Sequence, residues 1–188
     1  MTYILCAFEA EARALIDFYK LSKQKSGSYS FFKDDEHLIF ISGMGQKSAS
    51  EAIQALMLNF PTHANDSFIN LGICAAQNSF EIGQLVQIKK LCNEDESHHL
   101  PIIDSGIQTV SCFSAKVPLD RPVNEDIAEM EALGLYQSIH NYFKAEHISF
   151  LKVVSDNFNP QKPNKAFVIS LIQSNLPKIL EHIKKVNP

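Results

Sequence analysis

Short apolar runs of strand length alternate along this chain with stretches whose apolar residues recur every three to four positions. Tyr3 to Phe8, His37 to Ser42, Ser67 to Leu71, Gln84 to Cys92, Ile107 to Phe113 and Ile148 to Val154 are the runs. Glu9 to Tyr19, with Leu15 and Phe18 in register, reads as the first helix. Ala49, Ala52, Ile53, Leu56, Met57 and Phe60 make the stripe of a second, which Pro61 stops. Glu125 to Phe143 and Ala166 to Ile183 read as two more, Pro177 kinking or splitting the last. Strands that alternate with helices, several of them apolar throughout, predict an α/β fold: three layers, α/β/α, around a mostly parallel, mixed sheet covered on both faces. Turns or loops are expected at Gly27-Ser28, Gly72 to Asn78, the acidic, His-rich Asn93 to Leu100, Pro118 to Asn124 and Asn157 to Asn164.

With 188 residues, 45% of them hydrophobic, and neither repeat nor linker, the chain is expected to form a single domain over residues 1–188. Its 17 basic residues are outnumbered by 21 acidic ones and are scattered, which argues against nucleic-acid binding. No apolar run approaches the ~20 residues needed to cross a bilayer, and the N-terminus lacks the pattern of a secretory signal, so the expected compartment is the cytoplasm. Cys6, Cys74, Cys92 and Cys112 are widely spaced inside apolar runs and read as buried small hydrophobes.

In such folds ligands gather at the carboxyl ends of strands, where three carboxylates stand out. In the Glu125 to Phe143 helix, the i, i+4 series Ile127, Glu131, Leu135, Ile139 and Phe143 has a glutamate interrupting an otherwise apolar stripe. Buried there, Glu131 needs a partner: a ligand's hydroxyl pair or a neighbouring Lys or Arg. Asp156 closes the apolar strand Ile148 to Val154 and either points into a cleft or caps a Ser155-Asp156-Asn157 turn. Glu11 follows the first strand and either faces the same cleft or complements the helix dipole. Gly43-Met44-Gly45, between strand and helix, is either an anion-binding or ribose loop or simply a tight turn.

An ordered set of segments carries a resemblance: Ala7-Phe8-Glu9-Ala10-Glu11, Ser42-Gly43-Met44-Gly45, Ile69-Asn70-Leu71-Gly72, Ile82-Gly83-Gln84-Leu85-Val86, Glu129-Met130-Glu131-Ala132 and Val154-Ser155-Asp156. Together they resemble the purine nucleoside phosphorylase superfamily, most nearly its methylthioadenosine/S-adenosylhomocysteine nucleosidase branch, in a shortened form. The resemblance implies that Asp156 protonates the purine at N7 and that Glu11 orients or deprotonates the attacking water. It implies that Met130 and Glu131 hold the ribose, with Glu129, Ser155, Gly72 and Ile73 also in the substrate site. No metal or organic cofactor is implied; the partners are a purine nucleoside and a second copy of the chain, as a dimer.

Departures are expected between Val86 and Ile107 and before Glu125, where the family places much of its base and 5′-substituent pocket. Phe113 is the candidate aromatic to stack on the base, a core position being its alternative; the methyls of Ala75 and Ala76 would narrow the base site. Three functions compete with hydrolysis. Phosphorolysis would require a phosphate site near Arg13, Lys47, Lys116 or Arg121; a degenerate member would bind nucleoside without turnover; a metal protein would use Asp95, His98 and His99.

Overall fold

The computed structural model describes residues 1–26, 29–159 and 163–186. Its elements are β1 (Thr2–Cys6), α1 (Glu9–Tyr19), β2 (Ser22–Ser26), β3 (Tyr29–Lys33), β4 (His37–Ile41), α2 (Gln46–Asn59), β5 (Ser67–Ala76), β6 (Leu85–Cys92), β7 (Ser97–His99), β8 (Gln108–Ser114), β9 (Ile127–Glu129), α3 (Ala132–Ile139), β10 (Ile148–Asp156) and α4 (Lys165–Val186).

One mixed sheet runs β10-β6-β8-β9-β5-β1-β4-β3-β2, with β7 on β6. A further pairing of β10 with β5 closes β5, β10, β6, β8 and β9 into a ring. β1 is parallel to β4 and β5, β5 to β10, and β8 to β6 and β9, whereas β2, β3 and β4 form an antiparallel edge. Alternation along β1 shows why its run is apolar throughout: Tyr3 and Leu5 join one core, Ile4 and Cys6 the other. The first core packs under α2 and α3, through Ala49, Ile53, Leu56, Leu135 and Ile139. The second packs under α1 and α4, through Leu15, Ile16, Ile172 and Ile179, which completes the three layers.

Several local expectations are corrected. Gly72 does not begin a loop: β5 continues to Ala76, because β10 and β9 both pair with its last residues. The segment from Glu125 to Phe143 is not one helix. Ile127 to Glu129 form strand β9 between β8 and β5, and the helix begins at Ala132. The 3.6-residue series therefore runs across a strand and a helix, and Glu131 sits at the N-cap of α3 rather than mid-helix. Within the acidic loop, Ser97–His99 pairs with β6 as a short edge strand. Helix α4 runs unbroken through Pro177, which forfeits one main-chain hydrogen bond while Leu176 and Ile179 beside it stay buried. The β2–β3 hairpin was not read from sequence, and its expected turn at Gly27-Ser28 lies outside the described residues, as do residues 160–162 of the Asn157 to Asn164 loop.

Gly134 sets how closely α3 approaches the start of α2. A Cβ there would lie 2.7 Å from the Gln46 carbonyl oxygen and 3.0 Å from its Cα. Backbone cannot yield cheaply, so Gly134→Ala is expected to lower unfolding free energy by about 1–3 kcal/mol, measurable by urea denaturation; an unchanged midpoint would count against this contact.

On the opposite layer, His182 is fully buried, with Nδ1 2.7 Å from Ser105 Oγ and Nε2 2.7 Å from Ser149 Oγ. Burial, with a smaller contribution from Lys185, pushes its pKa down to about 4 from an ordinary 6.5. The folded state thus holds the neutral ring. The associated stability is complete above pH 6.5 and lost as pH falls toward 4, by about 3 kcal/mol. Wild type is expected to lose that much more than His182→Asn between pH 7 and pH 4 in chemical denaturation; equal losses would refute it.

Candidate active site

A cleft of about 570 Å³ opens at the carboxyl ends of β1, β5 and β10. Glu11, Ile73, Glu129, Met130, Glu131, Ser155 and Asp156 all line it, with Phe8, Met44, Val117, Pro118, Leu119 and Val168 supplying apolar wall. Residues from both ends of the sequence converge here because β1, β5 and β10 are adjacent parallel strands ending on the same edge.

Glu11, in the first turn of α1, is 2% exposed. The Phe8 amide donates to its Oε2 at 2.9 Å and the Ile73 amide to its Oε1 at 3.0 Å. Burial raises its pKa, opposed by nearby Lys152 and by those amides. Gly72 lies beneath it, outside the lining: a Cβ at that position would sit 2.9 Å from Glu11 Oε1 and 3.4 Å from Lys152 Nζ. A side chain there would crowd both groups, so the glycine leaves room for the Glu11 carboxylate and the Lys152 ammonium on that side of the strand.

Glu129 and Glu131 are both buried, and their roles differ. Glu129 is satisfied internally: Ser114 Oγ donates to Oε1 at 2.8 Å, and the Glu131 and Ala132 amides and Lys152 Nζ donate to Oε2 at 2.9, 2.8 and 3.0 Å. Through these contacts it caps α3 and fixes the turn that presents Met130 and Glu131. Glu131 Oε1 accepts from the Gly45 amide at 2.7 Å, and no donor among the described residues meets its other oxygen. Burial, reinforced by Glu129, pushes the Glu131 pKa up to about 7. A carboxyl poised between its two forms can both donate to and accept from a pair of hydroxyls.

Asp156 stands where β10 bulges: Val154 pairs with Cys74 but Asp156 with Ala75, so Ser155 is the extra residue. Such a bulge re-aims a side chain at a strand end. Ser155 Oγ donates to Asp156 Oδ2 at 2.7 Å, and the Asn159 amide donates to Oδ1 at 3.0 Å. The turn cap and the cleft position, weighed as alternatives from sequence, are both realised.

Besides Gly72, three expected members of the site, Phe113, Gly43 and Gly45, do not line the cleft. Phe113 does not line the cleft: alternation along β8 buries Cys112 and Ser114, and it is the Ser114 hydroxyl that reaches Glu129. The aromatic in the lining is Phe8, 38% exposed at the start of α1. Gly43 and Gly45, with φ of 82° and 95°, turn their amides to Ala7 O and Glu131 rather than into the cleft, where Met44 stands between them. Ala75 lines the cleft and Ala76 does not.

Lys152 was missed by sequence reasoning. It is 1% exposed, and although burial alone would lower its pKa, Glu129, Glu131 and Glu11 together hold it above the ordinary value. A lysine inside the otherwise buried run Ile148 to Val154 was the available signal. Among the described residues, no three His, Cys, Asp or Glu side chains are grouped as metal ligands would be; His98 pairs with Glu96 at 2.6 Å instead. All four cysteines are free and buried.

No family model and no curated protein matches the sequence. Solved structures do. A 5′-methylthioadenosine/S-adenosylhomocysteine nucleosidase from Neisseria meningitidis, in complex with methylthio-immucillin-A, superposes with a TM-score of 0.77 over 98% of both chains at 15% identity. The chain has the fold of these nucleosidases. A Helicobacter pylori nucleosidase mutant with 5′-methylthioadenosine in its active site gives a TM-score of 0.81 at 11% identity, over 97% of each chain. The futalosine hydrolase of the same organism gives 0.81 at 12% identity, again over 97% of each. The nucleoside phosphorylase-like architecture read from sequence is thus established, and it runs nearly the whole length of both partners in each comparison.

Proposed function

We propose that this protein is a nucleosidase that hydrolyses the N-glycosidic bond of a purine nucleoside carrying an apolar 5′ modification, such as methylthioadenosine. The observation that carries the reading is one cleft in which Glu11, Glu131 and Asp156, from three strand ends, meet an apolar wall. Bond cleavage develops positive charge on the ribose and negative charge on the base. Asp156 protonates the departing base, Glu131 with Met130 holds the ribose hydroxyls, and Glu11, anchored by two amides, orients and deprotonates water. The structural neighbours bound to methylthioadenosine or methylthio-immucillin-A share this fold, which supports the substrate class.

Hydrolysis is favoured over phosphorolysis because none of the four cations expected at a phosphate site lines the cleft, where Lys165 is the lysine present. Arg13 pairs with Glu9 and Asp17, exposed Lys47 with Glu51, and Arg121 with Asp120, while Lys116 stays outside the lining. The proposal includes a single domain, a homodimer and, from the four free cysteines, a reducing compartment such as the cytoplasm. No helix among the described residues is long and apolar enough to cross a membrane.

The test is base release from methylthioadenosine, S-adenosylhomocysteine, adenosine, inosine and futalosine, with and without phosphate, beside Asp156→Asn. Phosphate-independent release from a 5′-modified nucleoside is expected. Release that requires phosphate would make the enzyme a phosphorylase, and binding without release a degenerate member.

A further inference from the structure

The turn that carries Asp156 is fastened to the end of β5 by the side chain that follows the acid. Asn157 Nδ2 donates to the Ala76 carbonyl at 3.1 Å and to the Gln77 carbonyl at 3.2 Å. Upstream of the acid, Ser155 Oγ reaches the Cys74 carbonyl of the same strand at 3.1 Å. Gln77, the first residue past β5, then grips a different segment. Its Nε2 donates to the Val123 carbonyl at 2.5 Å and the Glu125 carbonyl at 3.1 Å, and its amide donates to the Asp126 carbonyl at 2.9 Å. Those carbonyls close the 115–126 segment whose Val117, Pro118 and Leu119 form the cleft wall and which leads into Glu129, Met130 and Glu131. Asp126 completes the attachment, accepting from the Ser111 amide at 2.7 Å and its hydroxyl at 2.8 Å. None of this is required to hold either core together, for Gln77 lies past the end of β5 and Asn157 past the end of β10.

We propose that Asn157 and Gln77 are positioning residues that form one clamp, setting the acid turn and the wall segment at a fixed separation across the cleft. The base bound between them would then meet Asp156 at the height the wall dictates. The catalytic part of this inference rests on the nucleosidase reading; the mechanical part does not. Both side chains act as amide donors to carbonyls, so replacing the amide by a carboxylate of the same shape removes the grip without opening a cavity.

The experiment compares wild type, Asn157→Asp, Gln77→Glu and the double variant. Hydrogen exchange is the first readout. In Asn157→Asp, amides of residues 117–126, on the far side of the cleft, are expected to exchange about tenfold faster, while those of α2 and β1 stay at the wild-type rate. Unchanged exchange in 117–126 would overturn the clamp, as would a uniform rise that marks general destabilisation. Base release is the second readout. Misplacing a reacting group by a fraction of an ångström to one ångström lowers kcat by about tenfold to a hundredfold, with KM expected to move less than about threefold. The double variant is expected to be no slower than the worse single one, as for two parts of one device; independent, multiplying losses would refute the coupling. A wild type that released no base from any nucleoside would defeat the functional reading alone, and the exchange result would still decide the clamp.

Discussion

Asp156→Asn is expected to lower the rate of base release by about 10²- to 10⁴-fold, the span a positioned general acid supplies. The substitution is close to isosteric, and the local hydrogen bonds show why the fold should survive it. The Asn159 amide donates to Oδ1, which an asparagine oxygen can replace. On the other side, Ser155 Oγ already has the Cys74 carbonyl within 3.1 Å, so the hydroxyl can turn its proton there and accept from the new amide. What is lost is only the proton that Asp156 would deliver to the departing purine. Without it the base must leave as an anion. The loss should fall on kcat, with KM within about threefold of wild type and a melting temperature within a few degrees. A variant that kept more than a tenth of the wild-type kcat would remove Asp156 from the role of acid.

What the sequence made legible follows from where a residue's environment is written. Strands buried on both faces are apolar at most positions, so β1, β4, β6 and β10 declared themselves, and α1 runs from Glu9 to Tyr19 as its 3.6-residue pattern dictated. Strand β9 did not. Three residues are too few to show a period, and Ile127 happens to fall in helical register with Leu135 and Ile139 across the break. The β2 and β3 edge was equally hidden, because Ser22–Ser26 is a polar run whose partner is chosen by tertiary pairing. Within the candidate site, Glu11, Glu131 and Asp156 were visible because each is a carboxylate at a strand end or on an apolar stripe. Phe113 misled because its alternation phase on β8 depends on the pairing with β9, which no local pattern reveals. Lys152 is the opposite case: its residue type contradicts its surroundings, and what no local pattern shows is that the fold brings it to Glu129, Glu131 and Glu11.

Those glutamates make Lys152→Met the second large effect, on stability rather than chemistry. Methionine matches the length of the stem and removes the charge. Glu129 would keep its bonds from Ser114 Oγ and from two amides, but no cation would remain against its Oε2. Removing one partner of a buried ion pair costs about 3–5 kcal/mol, because the other charge stays uncompensated. The pH dependence separates this cause from lost packing. Glu131 has a folded pKa near 7 against an ordinary 4.5. A raised acid favours folding below its unfolded pKa, and that contribution is lost as pH rises through the folded value. Lys152 lowers the pKa of both Glu131 and Glu11, so its removal moves both further up and extends the loss to higher pH. The deficit of the variant relative to wild type should therefore be smaller at pH 5, where the carboxyls can take up protons, and larger at pH 8. Urea denaturation of the two proteins at both pH values measures it. A deficit independent of pH would assign Lys152 to packing alone, and no deficit at all would mean that the three carboxylates are neutralised by other means.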